Sequence, residues 1–239
     1  MSPEASTKIP PEKLPSHIAI IMDGNRRWAR KRGLTVYEGH EAGVKALTKI
    51  VDHCEKLGIK TLTLYTLSTE NWRKRAKKEV QGIFDLLIRL VKEKKEEYRN
   101  RGIKVVALGD ITQFPQRVRR AIEEITKIII KNETMRVNLA LNYGGRDEIV
   151  RAVRQIVKEG LKPEEIDEKV IADHLYTNDV PDPDLIIRPG GEKRLSNFLL
   201  WQLSYSEIYF TDVLWPDFTP KELDKALADY AERERRFGK

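Results

Sequence analysis

Between His17 and the C-terminus, short apolar runs alternate six times with stretches whose apolar residues recur at helical spacing. Ile18-Ala19-Ile20-Ile21-Met22 reads as a buried strand, and Val44, Leu47, Val51 and Cys54 mark one face of a helix behind it. A second strand over Thr61 to Thr66 leads through a polar loop to a long helix with Val80, Ile83, Phe84, Leu87, Leu90 and Val91 on its inner face. Strand Val105 to Leu108 precedes a helix bearing Val118, Ile122, Ile125 and Ile129, and strand Val137 to Leu141 precedes one bearing Ile149, Val153 and Ile156. The last two units are strand Leu185 to Ile187 with a short helix over Ser196 to Gln202, and strand Ile208 to Phe210 with a final helix. Thr219-Pro220-Lys221-Glu222 opens that helix with a capping hydroxyl, proline at the first position and glutamate at the third. Strands that alternate with helices are joined by crossovers, so the expected fold class is α/β: a mostly parallel six-stranded sheet covered by helices on both faces. No repeat or linker interrupts residues 17–239, which are expected to form a single domain. Residues 1–16, with Pro3, Pro10, Pro11 and Pro15, are expected to be a flexible N-terminal arm.

Composition narrows the functional classes. No apolar run approaches the ~18 residues of a spanning helix, and the polar start Met1-Ser2-Pro3-Glu4 is no signal peptide, so a cytoplasmic protein is expected. The one cysteine, Cys54, cannot form an internal disulfide, and with four scattered histidines it makes no zinc site of the usual spacing. The 44 basic against 37 acidic residues, a net charge of +7, favour an anionic partner: nucleic acid, a phosphorylated metabolite or an acidic membrane surface. Charged residues are 34% of the chain, above the roughly 25% of ordinary domains, so part of this charge is equally read as surface ion pairing.

Parallel sheets bind ligands beyond the carboxyl ends of their strands, and there the polar residues gather. Asp23-Gly24-Asn25-Arg26-Arg27-Trp28 follows the first strand, Ser68-Thr69-Glu70-Asn71-Trp72 the second, Asn142 to Arg146 the fourth, and Arg188 to Arg194 the fifth. Gly24 to Arg27 at a helix start can cradle a phosphate, or form a simple turn with solvated arginines. Asp23 would repel that phosphate unless a cation lay between them, which points to Mg²⁺; the alternative is a helix cap. Arg188 and Arg194 flank Gly190-Gly191 and are followed by Ser196, a donor set that suits a diphosphate. Glu207 is a second metal ligand or an ordinary edge residue, His40 a phosphate donor or a cap. Asn71 beside Trp72 suits an apolar substrate with a polar reacting end, or a tryptophan that closes the core.

Taken together, His17 to Asn25, Gly39-His40, Leu64-Tyr65 through Trp72, Asn142 to Arg146 and Asp184 to Arg188 on through Ser196-Asn197-Phe198-Leu199-Leu200-Trp201-Gln202 resemble the cis-prenyltransferase family, whose best-known members are undecaprenyl and dehydrodolichyl diphosphate synthases. The resemblance covers nearly all of residues 17–238. It implies an enzyme that adds isopentenyl diphosphate units in cis to an allylic prenyl diphosphate, making a medium-to-long polyprenyl diphosphate for a lipid glycosyl carrier. By the same resemblance Asp23 and Glu207 would hold Mg²⁺, with Asp23 and Asn71 catalytic. Gly24, Asn25, Arg26, Arg27, Trp28 and His40 would bind the allylic diphosphate, and Arg188, Arg194, Leu195 and Ser196 the isopentenyl diphosphate. Ser68, Thr69, Glu70, Trp72 and Arg75 would position the substrates, while Arg236 and Gly238, in the tail Arg236-Phe237-Gly238, would reach a site across a homodimer interface. Peripheral contact of the lipid product with a membrane is implied as well. The Asp-Asp-x-x-Asp string of the unrelated helical trans-prenyltransferases is absent.

The chain departs from the family pattern at three places. Val36 stands where many relatives carry arginine, leaving part of the allylic grip missing or assigned to Arg30, Lys31 or Arg32. Arg26 replaces a frequent glycine and Pro189 a frequent threonine or serine. One extra residue before Glu79 makes either Lys74 or Arg75 the family's arginine, and the anchor at Glu79-Val80 selects Arg75. Two competing readings remain: a basic RNA-binding protein using Trp28, Trp72 and Tyr143 as stacking platforms, and a noncatalytic partner subunit of a prenyltransferase.

Overall fold

A computed structural model of the chain describes residues 9–233. The chain begins its sheet with β1 (His17–Ile21), every residue of which is buried, then forms α1 (Asn25–Lys31) and α2 (Val36–Leu57). It continues through β2 (Thr61–Ser68), α3 (Thr69–Lys74), α4 (Lys77–Arg101), β3 (Ile103–Leu108), α5 (Gln116–Thr126), β4 (Met135–Tyr143), α6 (Gly145–Glu159) and α7 (Glu168–Asp173). The last elements are β5 (Leu185–Arg188), β6 (Glu207–Phe210) and α8 (Pro220–Glu232). All six strands are parallel, in the order β3-β4-β2-β1-β5-β6. From β1 the chain first builds outward through β2 and later returns to place β5 on the other side. The carboxyl end of β1 is therefore the switch point at which α/β sheets open a crevice.

Alternation along the strands sorts the core into two layers. Ile18, Ile20, Leu62, Leu64, Val137 and Leu139 face α2, α4, α5 and α8 in the larger one. Ala19, Ile21, Ala140 and Ile186 face Tyr143, Phe198, Leu199 and Leu203 in the smaller. The smaller layer holds a buried polar set across three strands. His17 Nδ1 lies 2.7 Å from the Pro181 carbonyl, which only accepts, so Nδ1 carries the proton and Nε2 accepts from the Thr63 hydroxyl at 2.7 Å. Thr63 Oγ1 in turn accepts from Asn138 Nδ2 at 2.9 Å. Burial pushes the His17 imidazole down to about 4.

Several local expectations are corrected. Residues 69–74, read as polar loop, are helix α3, because Ser68 Oγ caps it by accepting from Asn71 N–H at 3.0 Å. The short helix over Ser196 to Gln202 does not form. Ser196, Asn197 and Leu199 have φ of 52°, 66° and 45°, left-handed values that cost a non-glycine residue about 1–2 kcal/mol each and that no α-helix contains. Ile129 lies beyond the end of α5 and is 84% exposed, and Val153 is on the outer face of α6. Thr219 precedes α8 without a side-chain cap, although Pro220 holds the first helical position. Of the expected N-terminal arm, residues 1–8 lie outside the described residues. The remainder includes a 3₁₀ turn (Pro11–Lys13) and packs Ile9 and Leu14 against the larger core, while Ser16 N–H donates to Asp184 Oδ2 at 2.8 Å.

Candidate active site

A cavity of about 1060 Å³ opens at the carboxyl ends of β1, β2 and β5 and runs between the sheet and helices α2 and α4. Its outer part is lined by six arginines, Arg26, Arg27, Arg30, Arg75, Arg188 and Arg194, against two carboxylates, Asp23 and Glu70. Its inner part is lined by Val44, Leu47, Ile83, Leu86, Leu87, Leu90 and Leu139. One end therefore favours an anion and the other excludes water.

Asp23 sits two residues beyond β1 and is shared by two guanidinium groups. Its Oδ2 accepts from Arg188 Nη2 at 2.9 Å and its Oδ1 lies 3.0 Å from Arg27 Nη2. Arg188 ends the buried strand β5 and is 4% exposed, so its charge cannot reach bulk solvent and is directed into the site. Its Nη1 donates to Ser196 Oγ at 2.8 Å and to the Arg194 carbonyl, while its Nε is buried without a partner among the described residues. Gly24 precedes α1 at φ 117°, and a Cβ there would meet Leu214 Cδ2 at 2.9 Å, so both backbone and space require glycine. Asn25 Oδ1 is likewise buried and unpartnered.

Glu79, in the first turn of α4, gathers the opposite rim. Its Oε1 lies 3.1 Å from Arg75 Nη1, 3.1 Å from His40 Nε2 and 4.0 Å from Arg26 Nε. Burial, then the hydrogen bond to Glu79 acting the other way, then Arg75 set the His40 imidazole below its ordinary value. Neutral His40 gives its one proton to Glu79 and turns Nδ1 toward Asn25 Nδ2, 3.5 Å away.

The expected site residues thus divide. Asp23, Gly24, Asn25, Arg26, Arg27, His40, Ser68, Glu70, Asn71, Arg75, Arg188, Arg194 and Ser196 line the cavity. Of Lys74 and Arg75 only Arg75 does, and of Arg30, Lys31 and Arg32 only Arg30, beside Val36. Trp72 does not: it packs against Phe84 and Phe114 with ring centroids 5.7 and 5.1 Å away, the core role. Phe84, on the same inner face of α4 as Leu87 and Leu90, belongs to the same aromatic cluster rather than to the cavity wall. Trp28 donates Nε1–H to Asp217 Oδ1 at 2.7 Å beneath the Arg32 guanidinium, latching α1 to the segment before α8. Thr69 is buried behind the rim and Leu195 packs on the smaller core.

Glu207 stands apart from the cavity. It opens β6 opposite Leu185, whereas Arg188 pairs with Phe210 at the other end, so Glu207 lies three residues, ~10 Å, toward the amino edge of the sheet. There it pairs with Arg233 Nη1 at 2.6 Å, and it shares no site with Asp23 in this chain. Arg236 and Gly238 lie outside the described residues. Asn197 and Leu86 line the cavity and Glu79 holds its rim, although no sequence motif assigns any of the three a role. A charged residue opening the apolar face of α4 was the available signal for Glu79; nothing local marked the other two.

Comparison with known proteins adds to this geometry. Residues 21–238 match the sequence model of a family described as "Putative undecaprenyl diphosphate synthase". An isoprenyl transferase of Clostridium perfringens is 48% identical over 231 residues, covering 95% of this chain and 91% of that protein. One of Heliobacterium mobile is 49% identical, covering 98% and 91%. The crystal structure of lavandulyl diphosphate synthase from Lavandula x intermedia, in complex with dimethylallyl diphosphate, is similar at a TM-score of 0.90 and 42% identity, covering 95% of this chain and all of that one. A probable undecaprenyl diphosphate synthase from Campylobacter jejuni is similar at a TM-score of 0.78 and 37% identity, covering 94% and 99%.

Proposed function

The chain belongs to the undecaprenyl diphosphate synthase family of prenyltransferases, and from that premise we propose that it extends an allylic prenyl diphosphate by successive cis addition of isopentenyl diphosphate. The observation that carries the reading is the two-part cavity: guanidinium groups around Asp23 at one end and an apolar wall between the sheet, α2 and α4 at the other. In the reaction the allylic C–O bond breaks, the diphosphate leaves with the electron pair, the isopentenyl double bond attacks the resulting cationic carbon, and a proton is lost from the new unit. Arg26, Arg27 and Arg30 and the uncapped start of α1 face the leaving diphosphate, where donors act on charge as it develops. Arg188, Arg194 and Ser196 hold the isopentenyl diphosphate. Asn71 assists proton removal by accepting a hydrogen bond; its neutral amide cannot keep the proton, so the departed diphosphate takes it.

The donor set fits Mg²⁺, which the Asp23 carboxylate would help to hold. Among the described residues no group of three or more His, Cys, Asp and Glu forms a cage, while the Asp23 carboxylate reaches the cavity with no other carboxylate paired to it. When bound, the ion would neutralise charge on the leaving diphosphate. The apolar end supports a long product: each five-carbon unit that leaves water contributes ~4 kcal/mol, taking ~0.8 per carbon group. The protein is further proposed to act as a cytoplasmic homodimer that meets a membrane only at its surface. No helix among the described residues is long and apolar enough to cross one, and α6 carries an outward stripe of Val150, Val153 and Val157.

The competing RNA-binding reading loses its platforms, since Trp72 and Tyr143 are packed in the two cores and Trp28 is engaged by Asp217 and Arg32. The purified chain, incubated with labelled isopentenyl diphosphate and primers of differing length with and without EDTA, should give a ladder of polyprenyl diphosphates that EDTA abolishes. Absence of any product from the chain alone would instead favour a noncatalytic partner subunit.

A further inference from the structure

The loop after β5 carries Arg194 and Ser196 into the cavity through a backbone path that disfavours most residues, with Ser196, Asn197 and Leu199 all left-handed. Something outside the loop must hold it there. Arg188 supports Ser196 from below, and Phe198 stacks on Tyr65 with centroids 4.4 Å apart. Those contacts leave the rim side of the loop unaccounted for, and at that side stands Asn197.

Asn197 bonds to two other loops of the site at once. Its carbonyl accepts from Gly145 N–H at 2.7 Å and its Oδ1 from Arg146 N–H at 2.9 Å, the first two amides of α6. Its Nδ2 donates to Glu70 Oε1 at 2.8 Å, in the first turn of α3. Helix α6 cannot cap itself, because Gly144 precedes it and has no side chain. A Cβ on Gly144 would come within 2.8 Å of Asn197 Nδ2, so the glycine leaves the space that the asparagine fills. One residue from the β5–β6 connection therefore serves as the missing cap of α6 and fastens α3 to it. The rims after β2, β4 and β5 become a single frame.

We propose that Asn197 is a positioning residue: it holds Arg194 and Ser196 at the isopentenyl diphosphate site by tying their loop to Glu70 and to the start of α6. This rests on the assignment of Arg194 and Ser196 to that substrate. Asparagine is suited to the place because it tolerates a left-handed backbone and carries a donor and an acceptor on one short arm, both of which are used.

The test compares Asn197→Gly, Asn197→Asp and the pair Glu70→Gln with Asn197→Asp. Glycine keeps the left-handed backbone and the carbonyl bond but removes both side-chain bonds. Aspartate keeps the cap on Arg146 N–H and places a carboxylate against Glu70. In the pair, the amide introduced at position 70 can donate to the carboxylate introduced at position 197 and restore the link with its direction reversed. The expected result is a KM for isopentenyl diphosphate raised about tenfold or more in both single variants (about 1.4 kcal/mol), with the primer KM within about twofold and the thermal midpoint little changed in Asn197→Asp. The double variant should recover most of the loss. Amide hydrogen exchange across residues 144–148 should quicken in Asn197→Gly and stay slow in Asn197→Asp. The proposal is overturned if Asn197→Asp leaves both KM values unchanged, or if both rise together with a fall in thermal midpoint that the double variant does not reverse. Arg194→Ala serves as the reference. If it fails to raise the isopentenyl diphosphate KM, the substrate assignment is wrong, and the exchange data still judge whether Asn197 ties the loops.

Discussion

Two guanidinium groups converge on Asp23, one of them buried, so this carboxylate holds the site together in addition to the catalytic role proposed for it. Asp23→Ala should lower kcat by ~10²–10³, ~3–4 kcal/mol in barrier, and should also lower the thermal midpoint because Arg188 loses its counter-charge. Asp23→Asn, which keeps an acceptor of the same shape, should lose activity with less loss of stability; circular dichroism melts beside turnover separate the two effects. The Arg194 side chain is 61% exposed and pairs with Glu192, so Arg194→Ala should leave stability unchanged while raising the KM for isopentenyl diphosphate more than that for the primer. A rise confined to the primer would show that the two diphosphate sites are reversed. His17 sets a pH dependence of stability. Folded, it titrates near about 4 against an ordinary 6.5, so between these values the unfolded chain binds more protons. Stability should therefore fall as pH drops from about 6.5 toward 4, by at most ~3 kcal/mol from this residue, and should be level above that range. Denaturant melts of His17→Gln should lack this part of the slope.

Helix α4 serves two roles along one face. Leu86, Leu87 and Leu90 line the cavity while Phe84 packs with Trp72 and Phe114. Leu87→Ala and Leu90→Ala should lengthen the product ladder, since each deepens the apolar end. Phe84→Ala should destabilise by ~3–5 kcal/mol and leave product length as it was. Chromatography of the products with melts of the same variants decides this, and failure of both leucine variants to shift the ladder would remove α4 from the control of chain length. The facing helix α2 is better determined, with Thr35 and Glu38 forming a reciprocal capping box at its start and Gly58 ending it in a left-handed turn. Helix α6 is the contrast: its apolar period was legible, but its cap arrives from a residue about fifty positions later, and its valine stripe faces outward.

At the scale of the whole molecule, the proposed homodimer leads to a further prediction. Deleting residues 236–239 should impair catalysis while leaving the melt intact, and light scattering of the full chain should show a particle of two chains. A fully active truncation, or a monomer at working concentration, would count against it. The six strands, the long helices and the four polar segments beyond the strands were readable in the amino-acid sequence because each depends on a local period or a local stop: runs such as Ile18 to Ile21, the 3.6-residue spacing on α4, and polar residues immediately after apolar ones. That Asp23, Arg188 and Ser196 share a cavity followed from parallel strands sharing one carboxyl edge. Only the tertiary structure decided the rest. Glu207 falls at the far edge because of the register of β6 on β5, Trp72 turns into the core because Phe84 and Phe114 leave it a place there, and Ser196 to Gln202 stays irregular because partners distant in sequence hold left-handed residues. Asn197 meets Glu70 across 127 positions, a contact that no local pattern encodes because it exists only once β2, β4 and β5 lie side by side.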